Sequence, residues 1–332
     1  MHQALKSRTA RLLAVGASAF ALSVVGTAAP VSEVSAAPAH HSKSALCKSA
    51  QRDDRMMAGY SNGRDPNSLT VKRTRQLQRK LERHMGQLRR NGMLSRRGHL
   101  TAKADTPVVI NTYVHVITRA DGSGGVTQQQ VDDQIQVMND AYAGLTGPNA
   151  APTIFQFHLA GLDYTANDDW YNWNWLNNSD DREAKPALHQ GGWSDLNIYI
   201  TNFDPFGLLG YAYYPRTIGL LRDGVVLLNE SLPGGSAAPY NEGDTATHEV
   251  GHWLNLAHTF ENGCTAPGDE VADTPYQRDG SNIFYCDAVD TCKKPGMDPV
   301  HNFMSYGTDP CLNEFTPGQA ERMAISWYAL RS

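Results

Sequence analysis

Apolar and polar positions along the chain fall into blocks with two distinct periods. Residues 108–118 alternate and are rich in β-branched side chains, which predicts a strand. Residues 127–145 carry Val131, Ile135, Met138 and Tyr142 on one face, which predicts an amphipathic helix with Thr127 as its N-cap and Gly144 or Gly147 as its stop. Residues 154–164, 196–201 and 225–228 read as further strands, and a last helix runs from Thr316 or Pro317 to about Leu330. Strand, helix, then several strands before a second helix predict an α+β domain with a mixed sheet. After about Thr259 the pattern dissolves into Gly, Pro, Asp and Cys until the last helix. Upstream, residues 68–92 place Leu69, Leu77, Leu81, Met85 and Leu88 near helical spacing, with Arg and Lys on the other faces. In the aromatic run 170–175, Tyr171, Trp173 and Trp175 alternate, which favours core packing over a substrate- or sugar-binding surface.

Charge divides the chain. Residues 30–104 hold 16 Lys+Arg against 5 Asp+Glu, and residues 105–332 hold 10 against 29. A basic segment can be a nucleic-acid tail or an intramolecular partner for an acidic domain. The N-terminus decides between them. Lys6, Arg8 and Arg11 precede an uncharged, mostly apolar run from Leu12 to Val25, and small residues follow at 27–29 and 35–37. That order predicts a secretory signal peptide cleaved after Ala29 or Ala37. The run is shorter than the roughly 18 apolar residues a membrane span needs. The expectation is a secreted, extracellular, monomeric protein with no nucleic-acid partner and no stable membrane insertion. It divides into a signal peptide (1–37), a basic propeptide (38–104), an N-terminal catalytic subdomain (105–258) and a C-terminal subdomain (259–332). Arg89-Arg90 and Arg96-Arg97 are candidate processing points, with the mature start near Asp105.

Export permits disulfides. Cys264, Cys286, Cys292 and Cys311 lie within the last 69 residues, and four cysteines allow three pairings. A zinc site built from them is disfavoured because no two have the Cys-x-x-Cys spacing.

The chemistry concentrates in residues 244–258. His248 and His252 are four apart, about 40° around a helix axis, so both imidazoles can reach one ion. Glu249 stands beside the first and can act as general base without being a ligand. Asp244 or Thr245 can cap the helix. His258 follows His252 by six residues, about 240° away on a continuous helix, so the helix must end and the chain must turn back. Asn255 stands where the turn needs a left-handed residue, a role Asn fills most often after Gly. Three His ligands plus one open position suit catalytic Zn²⁺. A competing arrangement takes Glu261 or Glu270 as the third ligand. A binding module holding structural zinc is the rival of another class, and it has no use for Glu249.

The spacing resembles His-Glu-x-x-His-x-x-Gly-x-x-His of the metzincin zinc endopeptidases, with Asn255 in place of Gly. Asn302-Phe303-Met304-Ser305-Tyr306, 46 residues after His258, looks like their Met-turn. With residues 268–275 and 315–323 these blocks resemble the pappalysin family, which includes bacterial ulilysin-like proteases. The resemblance implies a two-subdomain fold, peptide-bond hydrolysis in protein substrates, and Met304 as a hydrophobic floor. It also implies Tyr306 as oxyanion donor and the disulfides Cys264–Cys292 and Cys286–Cys311. It further implies structural Ca²⁺ held through Asp269 and Thr274 in the acidic loop that includes Asp273; a solvated loop is the alternative. Cys47 stands in the propeptide, where its thiolate suits an open zinc position. It is either a zymogen switch or an unpaired cysteine lost on processing. A basic propeptide is expected to dock on the acidic domain through charge and inhibit it.

Overall fold

β1 (Val108–Thr118), β2 (Phe155–Ala166), β3 (Leu196–Thr201), β4 (Gly210–Ala212) and β5 (Val225–Leu228) form one sheet in the order β2-β1-β3-β5-β4. The first four strands in that order are parallel, and β4 closes one edge antiparallel to β5. The structure, a computed structural model, describes residues 68–104, 106–174, 179–203, 207–294 and 296–332. The expected signal peptide and Cys47 lie outside the described residues.

Strands β3 and β5 are buried at every position, as expected of central strands covered on both faces. Period-two alternation sorts their side chains. Ile198, Ile200, Val225 and Leu227 face a core shared with the helices α2 (Gln128–Tyr142), α5 (Asp244–Trp253) and α6 (Pro317–Leu330). Tyr199, Val226 and Leu228 face a second core that holds Tyr171 and Trp173, so those two aromatics are packing residues as expected. The α+β architecture with a mixed sheet matches the sequence reading.

The predicted elements recur with small shifts. Helix α2 starts from Thr127 through a reciprocal capping box with Gln130, and α6 does the same from Thr316 with Gln319. Two short helices, α3 (Asp168–Tyr171) and α4 (Ser179–Leu188), were not foreseen, and neither was β4. All three lack a long periodic pattern. In α4, Asp181 and Lys185 form a fully buried ion pair at 2.8 Å, to which Tyr213 and Arg222 add hydrogen bonds of 2.8 and 2.9 Å.

Helix α1 (Val71–Arg90) is capped by Thr70 and packs on α6. Leu81 and Leu88, with Leu94 beyond the helix, cluster with Ile325 and Leu330. Lys72, Arg73, Arg75, Arg79, Arg83, Arg89 and Arg90 remain exposed. The leucine stripe thus makes the apolar contact, and among the basic groups Lys80 joins it by donating to the carbonyl oxygens of Pro215 and Arg216. Burying leucines is favourable, whereas exposed ion pairs contribute little.

The 259–316 region is held by two disulfides, Cys264–Cys292 and Cys286–Cys311, the pairing the family resemblance implies. These bonds also remove the cysteine-zinc alternative.

Candidate active site

Every residue of α5 is buried. Its N-cap is Gly243 at φ 103°, not Asp244 or Thr245. Asp244 becomes the first helical residue instead, because the chain enters through a left-handed position suited to glycine. Asp309, from the far loop, accepts the N–H groups of Glu242 and Gly243 at 2.8 and 3.2 Å and fixes that entry.

The exit follows the sequence argument. Asn255 has φ 82°. Its N–H donates to His252 O at 2.9 Å, and the Leu256 N–H donates to Gly251 O at 2.9 Å. These two bonds make a Schellman turn with Asn255 as its left-handed residue. The chain doubles back and delivers His258.

His248, His252 and His258 are fully buried and converge. Nε2 of His252 lies 3.0 Å from Nε2 of His248 and 3.0 Å from Nε2 of His258. The opposite nitrogens face acceptors. Nδ1 of His248 donates to Phe303 O at 2.6 Å, and Nδ1 of His252 donates to Leu256 O at 2.8 Å. Nδ1 of His258 lies 3.4 Å from Glu261 Oε2. With Nδ1 carrying the proton, each Nε2 presents a bare lone pair. Three lone pairs at this spacing repel unless a cation stands between them, so the donor set fits a metal ion held by nitrogen. Glu261 stands behind His258 and thus takes a supporting place, not the ligand place considered as an alternative. Tyr214, whose hydroxyl lies 3.3 Å from His252 Nδ1, was missed because it belongs to no motif and sits just after the short β4.

Glu249 is buried beside the ligands, with its Cγ packed where Gly210 of β4 has no side chain; a Cβ there would stand 2.9 Å away. Met304 lies under the helix and fully buried. Its backbone is held from several sides. Asn302 Oδ1 accepts the Met304 N–H at 3.0 Å, and Asn302 is locked to Gln319 by two amide hydrogen bonds of 2.7 and 2.9 Å. The Thr259 N–H donates to Met304 O at 3.2 Å, tying this turn to the residue after the third His. The Tyr306 ring lies 5.0 Å from that of His258 and 5.9 Å from that of His248, packed on Phe260 and Phe284.

The acidic loop splits. Asp273 accepts from Thr316 Oγ1 and from the Gly318 N–H, both at 2.8 Å, and so caps α6. Asp269 is buried, and burial pushes its carboxyl up to about 7. The Thr274 hydroxyl is a buried neighbour of the Asp269 carboxyl and, with the Val271 N–H, partly offsets that rise.

A family model described as pregnancy-associated plasma protein-A, peptidase family M43, matches residues 189–326. Extracellular metalloprotease 1 of Coccidioides posadasii is 40% identical over 238 residues, covering 70% of this chain and 81% of its own. An extracellular metalloprotease of Colletotrichum graminicola is 43% identical over 236 residues, covering 68% and 79%. Among solved structures, mature mirolysin of Tannerella forsythia in complex with a cleaved peptide superposes with TM-score 0.54 at 28% identity, covering 68% of this chain and 99% of its own. A promirolysin mutant of the same organism superposes with TM-score 0.59 at 26% identity, covering 78% and 91%. Identity of this degree over most of each relative's length, joined to the three-histidine cluster, places the chain in the M43 pappalysin family as an extracellular metallopeptidase.

Proposed function

We propose that the chain is a secreted zinc endopeptidase, made as a zymogen, that hydrolyses internal peptide bonds of protein substrates. The observation that carries this reading is the convergence of three Nε2 atoms whose ring partners leave them all as acceptors. His248, His252 and His258 are the zinc ligands. Zinc held by them supplies Lewis-acid polarisation of a carbonyl and acidifies water.

Glu249 is the general base. Its carboxylate takes a proton from water as the water oxygen bonds to the scissile carbonyl carbon. It returns that proton to the leaving nitrogen as the C–N bond breaks. The Tyr306 hydroxyl donates to the carbonyl oxygen as it gains charge. Met304 supplies a packed floor and no ligand, since thioether sulfur is a soft donor.

Residues 1–37 are the signal peptide and 38–104 the propeptide, with subdomains at 105–258 and 259–332. The larger share of this chain covered by promirolysin than by mature mirolysin supports a precursor form. Cys47 is the candidate zymogen switch, and Cys47→Ala in the precursor should speed self-processing. Asp269 and Thr274 are the proposed ligands of a structural calcium ion, a reading supported by the burial of both oxygens in one acidic loop. Added Ca²⁺ should raise the melting temperature, and Asp269→Asn should abolish that rise. For the reaction itself, casein digestion with and without chelator, beside Glu249→Gln, is the deciding test: activity that survives both removes the assignment.

A further inference from the structure

We infer that Arg322 is a positioning residue for the third metal ligand and that it couples that ligand to helix α1. The inference rests on the reading of His258 as a ligand.

Arg322 lies on α6, within the 315–323 block that the catalytic reading leaves unused. Its Nε donates to Asn255 O at 3.0 Å. Its Nη1 donates to Gln78 Oε1 of α1 at 2.9 Å and lies 3.4 Å from Glu270 O. The Asn255 carbonyl belongs to the peptide that follows the left-handed residue, so its direction sets the path of the next three residues to His258. Carbonyls at a helix C-terminus carry partial negative charge and lack intrahelical partners, and a guanidinium there satisfies them. Arg331 makes a similar bond two residues earlier, from Nε to Trp253 O at 2.8 Å, but its other donors go to Asp223 and to Trp193 O. Of the two, Arg322 is the one that reaches α1.

A second support of His258 reaches the same segment. Glu261 places Oε2 3.4 Å from His258 Nδ1, while its Oε1 accepts the Leu69 N–H at 2.9 Å. The segment carrying α1 thus touches both groups that orient the third imidazole, without contacting the ring through either. Docking of α1 and metal binding then strengthen one another, and linkage makes the effect reciprocal.

The test measures Co²⁺ and Zn²⁺ affinity of the full-length chain by competition with a chelator. The variants are Arg322→Lys, Gln78→Ala, His258→Ala and the Arg322→Lys/His258→Ala pair. Lysine keeps the charge but cannot span both acceptors in the same fork. Arg322→Lys should weaken metal binding by about 10- to 100-fold, the usual scale for an outer-shell support. Gln78→Ala should weaken it in the same direction by less. With His258 already replaced, Arg322→Lys should have no further effect on affinity. Unchanged affinity in Arg322→Lys, or the same loss with and without His258, overturns the inference, because a merely structural role would act independently of that ring. Full affinity in His258→Ala instead removes the ligand reading itself. Should Arg322→Lys fail to fold, Gln78→Ala decides the coupling alone, and wild-type affinity there overturns it.

Discussion

Sδ of Met304 occupies the space over Gly251, so that a β-carbon on that glycine would stand 2.4 Å away. The helix that carries two ligands and the turn beneath it are packed without room for a methyl group. Ala normally stabilises a helix interior over Gly by roughly 1 kcal/mol. Here Gly251→Ala should instead cost about 1–3 kcal/mol through overpacking. Thermal unfolding of the metal-free protein checks the sign, and a stabilised variant would show that Met304 moves aside freely.

Glu249→Gln keeps the size of the side chain and removes its basicity. Bound metal should remain at one equivalent while turnover falls on the order of 10²- to 10⁴-fold, the usual contribution of a general base. Metal analysis and a casein assay on one preparation separate this from unfolding. Metal loss in the variant would assign Glu249 to the coordination sphere.

Asn255→Gly should be tolerated, because glycine adopts φ 82° without penalty. Asn255→Ala should cost about 1–2 kcal/mol, the penalty of a left-handed β-carbon. Comparing unfolding and zinc retention for the two variants tests whether the turn delivers His258. Equal behaviour would mean the turn tolerates another backbone path.

The disulfides span separations of 28 and 25 residues in a region with little regular structure. Each should contribute about 3 kcal/mol in the chain-entropy account. Cys311 also borders the turn under the metal site, since its carbonyl accepts from His301 Nδ1 at 2.7 Å. Replacing Cys286 and Cys311 by Ser should lower both melting temperature and metal retention. A drop in neither would make that bridge dispensable.

Burial raises the Asp181 carboxyl, but Lys185, Tyr213 and Arg222 outweigh it and hold the group below its ordinary value. A carboxyl so lowered contributes stability above its unfolded value and loses it as pH falls through the folded one. Urea unfolding should therefore show stability declining below about pH 4. Asp181→Asn at neutral pH should cost about 3–5 kcal/mol by leaving buried Lys185 without its counter-ion. A loss under about 1 kcal/mol would mean that the lysine escapes to water.

Local pattern was enough for the strands 108–118, 196–201 and 225–228, which the structure reproduces to the residue, because alternation and β-branching act over neighbouring positions. It was also enough for the left-handed turn, since the ligand spacing of 248, 252 and 258 cannot close on one ion along a straight helix. The pairing of the cysteines came from family resemblance, as arithmetic leaves three choices. What tertiary structure decided was of another kind. The Gly243 entry to α5 depends on Asp309, the Nδ1 acceptors of the first two ligands include a carbonyl 55 residues away, and the hold on Asn255 comes from Arg322. The docking of α1 through its leucine stripe is likewise a matter of which face meets α6. Such contacts join residues far apart in the chain, and periodicity carries no information about which distant groups meet.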